Sequence, residues 1–538
     1  MRPRNSITLS LISGVAGLAL AQAVSVPMAM AQKTLRIAMT AADIPTTTGM
    51  PNNGFEGMRF VGYTAFDALV LWDLTKTDKL PDIVPGLATE WMVDEADKTK
   101  WTFKLRPGVK FHDDSPFNAD AVAWNLSRFY DDKSPQFEPN GSAITRARVP
   151  LITKWEKVDD FTISIYTRIP VSYFPFMMAQ ILIASPAAWE KAGKNWAEVA
   201  KAPAGTGPFK ITRVTPRQSI EMTKNADYWD KNRIPKVDRL VLSPIPEATT
   251  RLSALRAGQI DWVEVPPPDA IPSLRQAGFE VATSRYPHIW PYVLKITPDS
   301  PFNDKRVRQA ANFAVDRDSI VKLLNGTAMP ATGFWPADTP FGGSPKLKYS
   351  YDPARAKALL AEAGFGSGKP VKAKIQISTS GSGQMLPIPM NEIIQRGMKE
   401  AGFEIDFEVV EWGQMLVTYR QGPDSPQVQN LHGVNISLVT WDYSMAFRWF
   451  HSRNVTPVSS NWGQFKNPEI DALLSGIETD FATRDFAPKL AKLNELLVEE
   501  APWLFIVHDL NPRAFSKKVK GYTPAQSWFT DLTRVSIE

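Results

Sequence analysis

The stretch Pro85–Phe117, PGLATEWMVDEADKTKWTFKLRPGVKFHDDSPF, decides the fold. Two aromatic-bearing runs flank a polar turn, Asp94 to Lys100. In the second run, Trp101-Thr102-Phe103-Lys104-Leu105, apolar and polar residues alternate with the period of a strand that buries one face. Arg106-Pro107-Gly108 supplies the next turn, and Val109-Lys110-Phe111 starts a further short extended piece. The residues predict a β-hairpin with one wet and one dry face.

Upstream, Arg2 and Arg4 precede a mostly apolar run from Ile7 to Val26, and Ala29-Met30-Ala31 forms an A-x-A cleavage pattern. The expectation is a secretory signal peptide, residues 1–31, cleaved after Ala31. No later stretch reaches the roughly 18 apolar residues that a membrane span needs. The chain has no cysteine, which excludes disulfides, thiolate nucleophiles and Cys-based metal sites. Such an exported chain must be held by its core, and 538 residues at 43% hydrophobic content allow a large one in more than one domain. The net charge is +5, or +3 without Arg2 and Arg4, and it is spread evenly. That argues against a nucleic-acid partner.

Before the hairpin, Leu35-Arg36-Ile37-Ala38-Met39 reads as a strand feeding a polar loop, with a helix expected from Gly57 to Leu71. A strand, loop and helix in this order open an α/β lobe, where ligands sit beyond the strand's carboxyl end. After the hairpin, Asn118 or Asp120 caps a helix whose Val122, Leu126 and Phe129 share a face.

These blocks, taken as strings, resemble the peptide/nickel-type solute-binding proteins of ABC importers, bacterial extracellular solute-binding family 5. The hairpin resembles the family's WTF-x-LR-x-GVKFHDG-x-PF and departs from it at Asp114, where the family usually has Gly. In order along the chain follow Gly205-Thr206-Gly207-Pro208-Phe209, Asn225-Ala226-Asp227-Tyr228-Trp229, the RLSALRAGQIDW run from Arg251, PFNDKRVRQAANFAVDRDSIV from Pro301, and YDPARAKALLAEAGF from Tyr351. The resemblance implies an α/β, type II periplasmic-binding-protein-like fold: two lobes with a hinge and an extra domain inserted in the first. Lobe one is then expected from residues 32–70, 203–283 and 502–538, the extra domain from 71–202, and lobe two from 284–501. Crossings are expected near 283–291 and 500–503, where Pro287, Pro291 and Pro502 suit a bend.

Function follows the same resemblance. It implies a periplasmic receptor that captures a peptide or another polar or cationic compound and passes it to a permease and ATPase in the inner membrane. The receptor is expected to be a monomer, to need no cofactor and to catalyse nothing. The residues fit that absence of catalysis, for no nucleophile elbow, P-loop or metal-spaced histidine pair is present. Two alternatives are a secreted hydrolase with cleft carboxylates, and a chaperone or signalling receptor on the same scaffold.

Candidate ligand contacts fall in two places. In peptide-binding relatives an Asp pairs with the ligand's amino group; Asp442 occupies that place, between Trp441 and Tyr443, and an N-cap role is its other reading. Arg448 beside it reads as an anion clamp or as an exposed helix residue. In the run Ser378–Gly383, STSGSG, Ser380 and Ser382 belong to either a flexible loop or a backbone cradle for an anion. Dipeptide-binding relatives carry an Arg in that loop, and this chain does not. Trp462 and Trp290 complete the expected cleft residues; a core role is the alternative for each.

Overall fold

The expected hairpin forms from strands Ala88–Val93 and Lys100–Leu105, with Trp91 opposite Phe103 and Val93 opposite Trp101. Trp101, Phe103 and Leu105 are buried while Lys104 faces water, as the alternation requires. Strands Thr162–Thr167 and Ile152–Asp159 extend it to a four-stranded antiparallel sheet. Helix Ala119–Tyr130 packs on this sheet through buried Val122, Leu126 and Phe129, and the Asn118 side chain caps it at the amide of Ala121. The computed structural model describes residues 32–52, 54–285, 288–428, 430–440, 444–483 and 485–538. The leader segment with its expected cleavage point, and Pro287, lie outside them.

Two larger sheets carry the rest. The first runs in the order 280–282, 513–515, 262–264, 34–39, 239–244, 219–224, 209–215. Strand Thr34–Met39 is parallel to both neighbours, and the outer pairs are antiparallel. The second runs 328–330, 503–509, 288–294, 433–435, 371–378, 403–410, with 438–439 also paired to 288–294.

The second crossing and the role of one proline differ from expectation. Trp503–Asp509 pairs with His288–Leu294 in the second sheet, so the chain rejoins the first sheet only at Arg513–Phe515, not at 502. Pro291 is not a bend between lobes. It lies inside strand His288–Leu294, where the register against 503–509 shifts, a place where a missing amide costs no ladder bond. Arg308 and Arg317, from the RVRQA and DR blocks, hold the entry to strand Trp503–Asp509 within the second sheet. Arg308 donates to the carbonyls of Glu500 and Ala501, and Arg317 to that of Phe505.

The helix expected from Gly57 to Leu71 is also shorter. A π-helical turn, Met58–Gly62, leads into Tyr63–Ala65, after which Phe66 is extended and Val70–Trp72 is a strand. The glycines of the Gly-Thr-Gly-Pro-Phe turn press on this end: a Cβ on Gly205 would lie 2.1 Å from the Ala65 carbonyl oxygen. The opened chain then presents Asp67, whose buried carboxylate accepts from Thr206 Oγ1 at 2.9 Å, Tyr228 OH at 2.9 Å and Trp229 Nε1 at 2.8 Å. Two of the blocks quoted from the sequence thus meet on one acid that neither contains. His112 joins the hairpin to the same turn: Nε2 donates to the Gly207 carbonyl at 2.9 Å and Nδ1 accepts from the Gly205 amide at 3.3 Å. Asp114 sits at φ +65°, the left-handed region where Gly is the default and Asp is among the tolerated substitutes.

Arg59 of the π-helical turn is fully buried and pairs with Glu264 at the end of strand Trp262–Glu264. Glu264 also accepts from Arg513 Nε at 3.1 Å and Trp262 Nε1 at 2.7 Å. Burial opposes its ionisation, yet Arg59 and Arg513 outweigh that and hold the carboxyl below its ordinary range.

Two tests follow from these buried groups. Asp67→Ala strands the buried hydroxyls of Thr206 and Tyr228 and the half-buried Trp229 indole N–H, and should cost about 3–5 kcal/mol in denaturant unfolding, as removing one side of a buried charged network does; an unchanged midpoint would refute the role of Asp67 as a hub. Burial lowers His112 to about 4, His288 to about 3, with His508 and Arg59 adding to the effect, and His508 to about 4. These rings are neutral in the fold, so the unfolded chain protonates first. Stability is full above about pH 6.5 and is lost as pH falls toward 4. The melting temperature should drop through that window, and His112→Gln should flatten the drop.

Candidate functional site

A cavity of 340 Å³ lies between elements from opposite parts of the chain. One wall is helix Pro139–Arg148, which contributes Ile144, Ala147 and Arg148. The facing wall comprises Trp412, Tyr419 and Arg420 of helix Trp412–Gln421, strand Leu438–Val439, and Arg448 with Trp449 of helix Ser444–Phe450. The walls meet where Ser459 Oγ donates to the Ala147 carbonyl at 3.2 Å. Trp528 also lines the cavity. The Arg59 guanidinium sits 4.1 Å from its ring centroid, and His288 stacks on it at 5.7 Å. The floor of the cavity therefore rests on the Glu264 network.

The electrostatics are one-sided. Arg148, Arg420 and Arg448 all face this space, and no Asp or Glu does among the described residues. Burial holds Arg448 down to about 10, and Arg420 adds to the effect. Burial, with Arg448 and Arg420, holds Arg148 down to about 9. Arg448 Nε donates to Ser460 Oγ at 2.7 Å, while its Nη1 is sealed from solvent with no hydrogen-bond partner among the described residues. The fourth arginine, Arg146, is engaged by the Phe129 carbonyl and Ser142. Around the cations the walls are apolar and aromatic, a composition common to small-molecule sites of roughly 300–1,000 Å³.

The Ser378–Gly383 run is a seated loop. Gly381, at φ +139°, lies so close to Trp412 that a Cβ would be 2.3 Å from the ring, and a Cβ on Gly383 would be 2.6 Å from His288 Nε2. Ser437 Oγ donates to the Ser382 carbonyl. Gln384 Nε2 donates to Ser378 Oγ at 2.7 Å, and Gln384 Oε1 accepts from Trp290 Nε1 at 2.6 Å. The loop leads into helix Pro387–Ala401 and fixes the position of Trp412 at the cavity wall.

Of the residues singled out from sequence, the cavity brings together Arg448 and Ser382. Ser380 is half-buried in the same loop without lining it. Trp290 and Trp462 are fully buried, the latter donating from Nε1 to the Thr418 carbonyl at 3.2 Å, and neither lines the cavity. Trp441, Asp442 and Tyr443 lie outside the described residues. Sequence reasoning passed over Arg148, Arg420, Tyr419 and Trp528. Arg148 ends a helix, where a cation normally complements the dipole, so its type and place gave no sign of a site.

The profile of the bacterial extracellular solute-binding proteins, family 5, matches residues 82–470. The chain belongs to family 5. Curated relatives cover most or all of it. Di/tripeptide-binding protein 2 of Pseudomonas aeruginosa is 28% identical over the whole of both chains. Heme-binding protein A of Haemophilus influenzae is 29% identical over 85% of this chain and 84% of its own. The glutathione-binding protein GsiB of Escherichia coli is 29% identical over 87% of each. Among solved structures, the periplasmic binding protein DppA of Helicobacter pylori, in complex with the peptide STSA, superposes with a TM-score of 0.81 at 23% identity, covering 94% of this chain and 99% of that one. AgaA from A. tumefaciens R10, in complex with agropinic acid, gives 0.76 at 22% identity over the same shares. The fold is that of the type II periplasmic binding proteins. In this member of family 5 the shared sequence blocks build the frame, while the arginines and Trp412 of the cavity stand outside them.

Gly381→Ala should displace Trp412. The strained backbone and the clash together should cost about 1–3 kcal/mol of stability. Tryptophan fluorescence should change in the unliganded protein, and Gly366→Ala, at a glycine with open space around it, serves as the control.

Proposed function

We propose that this chain is the periplasmic receptor of an ABC importer, capturing a small solute in the 340 Å³ cavity and handing it to a permease and ATPase in the inner membrane. The observation that carries this reading is the origin of the cavity walls. Helix Pro139–Arg148 belongs with the four-stranded sheet, while the facing helices and loops belong with the second large sheet. A site made by two bodies opens when they part and excludes water when they meet, which is what capture and release require. On this reading lobe one comprises residues 32–70, 203–283 and the chain from 513 on. The extra domain is 71–202, and lobe two is 284–509.

The reading needs no covalent chemistry: guanidinium groups and tryptophan faces bind and orient. The relatives named for di/tripeptides, heme and glutathione differ in ligand. This chain's own solute must therefore be read from its own cavity walls. A secretory leader at residues 1–31 accords with export, and the receptor acts as a monomer.

The test is ligand-induced closure without turnover. A solute at 100 times its Kd adds about 2.7 kcal/mol, which for a chain of this size raises the melting temperature by roughly 2–3 °C. Small-angle scattering should show a smaller radius of gyration, and mass spectrometry should return the solute unchanged. Conversion of the solute would support an enzyme instead.

A further inference from the structure

We propose that Tyr173 of the extra domain is a positioning residue for the site: docked on the buried Glu478, it latches the extra domain to lobe two and seats the helix that carries Arg448. This rests on the receptor reading above and deepens it by naming the contact that holds the closed form. Glu478 ends helix Pro468–Glu478, where its charge opposes the helix dipole, and it is buried. Its own helix therefore gives no reason for a carboxylate there. The partners come from elsewhere: Tyr173 OH donates to Glu478 Oε1 at 2.9 Å, and Arg453 pairs with the same oxygen. The backbone repeats the contact, for the Ser172 amide donates to the Glu478 carbonyl at 2.7 Å and Ser172 Oγ to that of Ile477 at 3.1 Å. The Tyr173 and Phe447 ring centroids are 4.4 Å apart, and Phe447 immediately precedes Arg448 on helix Ser444–Phe450.

The seam is built to part as well as to close. A 20 Å³ space lies between its faces, lined by Tyr173, Met177 and Gln180 from the extra domain and by Phe447, Arg453 and Asn454 from lobe two. Of these, Gln180 Oε1, Arg453 Nε and Asn454 Oδ1 are sealed and have no hydrogen-bond partner among the described residues. Burying such atoms costs free energy that parting the seam returns, since each then meets water. A permanently shut interface resembles an apolar core, whereas polar faces are usual between domains that move. Arg448 and Ser459 line both this space and the 340 Å³ cavity, so seam and site open together. The latch favours closure, the buried polar atoms favour opening, and a solute tips the balance.

The chain has no cysteine, so Lys191→Cys on the extra domain and Lys357→Cys on lobe two, both at exposed positions, give two spin-label sites. Pulsed electron resonance on the dialysed protein should show a short and a long distance. Tyr173→Phe removes only the hydroxyl and should cut the short-to-long ratio about tenfold, the order of one hydrogen bond to a charged group. Tyr173→Ala also removes the ring and should speed amide exchange across helix Ser444–Phe450, read by mass spectrometry. Tyr130→Phe is the control, since the Tyr130 hydroxyl bonds the Val149 carbonyl inside the extra domain at 2.7 Å; it should lower the melting temperature and leave the distances alone. Far-UV circular dichroism confirms that the variants fold. A distance distribution that is the same in the wild type and in Tyr173→Phe overturns the latch, as does an equal shift in Tyr130→Phe, which would make the effect one of stability alone. Unchanged exchange in Tyr173→Ala overturns the seating of the Arg448 helix. The receptor reading has its own measure, the closure that a solute induces, and is untouched by any of these results.

Discussion

Glu264 is the acid on which the arrangement of the first lobe and the floor of the cavity depend. It is buried between two buried arginines, one on the π-helical turn and one on the strand that returns from the other sheet. A carboxylate so placed must be ionised and paired, because an orphaned charge here would cost more than most single contacts return. The pairing joins three segments, each more than 200 residues from the next, with Arg59 at one end and Arg513 at the other. The Arg59 guanidinium in turn lies 4.1 Å from the Trp528 ring centroid, so the same charge cluster that closes the core also touches the aromatic floor of the cavity. Frame and binding surface are therefore one electrostatic object at this point.

Local order was legible where a residue's neighbours in sequence decide its fate. The hairpin around Trp101 and Phe103, the Asn118 cap and the buried face of Val122, Leu126 and Phe129 all follow from periodicity and turn chemistry. The helix around Met58 ended early because Gly205 and Gly207, some 140 residues on, press their backbones against Ala65, and no local pattern encodes that pressure. Pro291 read as a breaker because its missing amide is a local fact, whereas the bulge that absorbs it depends on strand 503–509. Trp290 and Trp462 illustrate the ambiguity of tryptophan: Trp462 lies among polar residues in sequence and Trp290 at an expected crossing, yet their indole N–H groups are spent on Gln384 and the Thr418 carbonyl inside the protein.

The site was least legible because its chemistry is assembled at long range. Arg148 and Arg448 are 300 positions apart in sequence and look like ordinary helix-end and helix-face cations until the fold sets them around one space. The family blocks, by contrast, prove to be joints: His112 on the Gly205 turn, Tyr228 and Trp229 on Asp67, Arg308 and Arg317 on the carbonyls at the entry to and inside strand Trp503–Asp509. Joints tolerate little change, and walls can vary while the joints hold. This division explains how a string can name a scaffold and say little about what the scaffold holds.

The link between strand Trp503–Asp509 and strand Arg513–Phe515 is only Leu510, Asn511 and Pro512, with Asn511 at φ +48° and its amide bound to Asp509. Three residues reach no more than roughly 10–11 Å even fully stretched. Each of these strands stands second from an edge of its sheet, so the two great sheets are pinned together here and separation at this point is limited by covalent length. What remains is rotation. On the proposed reading, a solute drawn into the cavity would turn the sheets about this link, and a small change of angle at three residues would become a large displacement at the far rims.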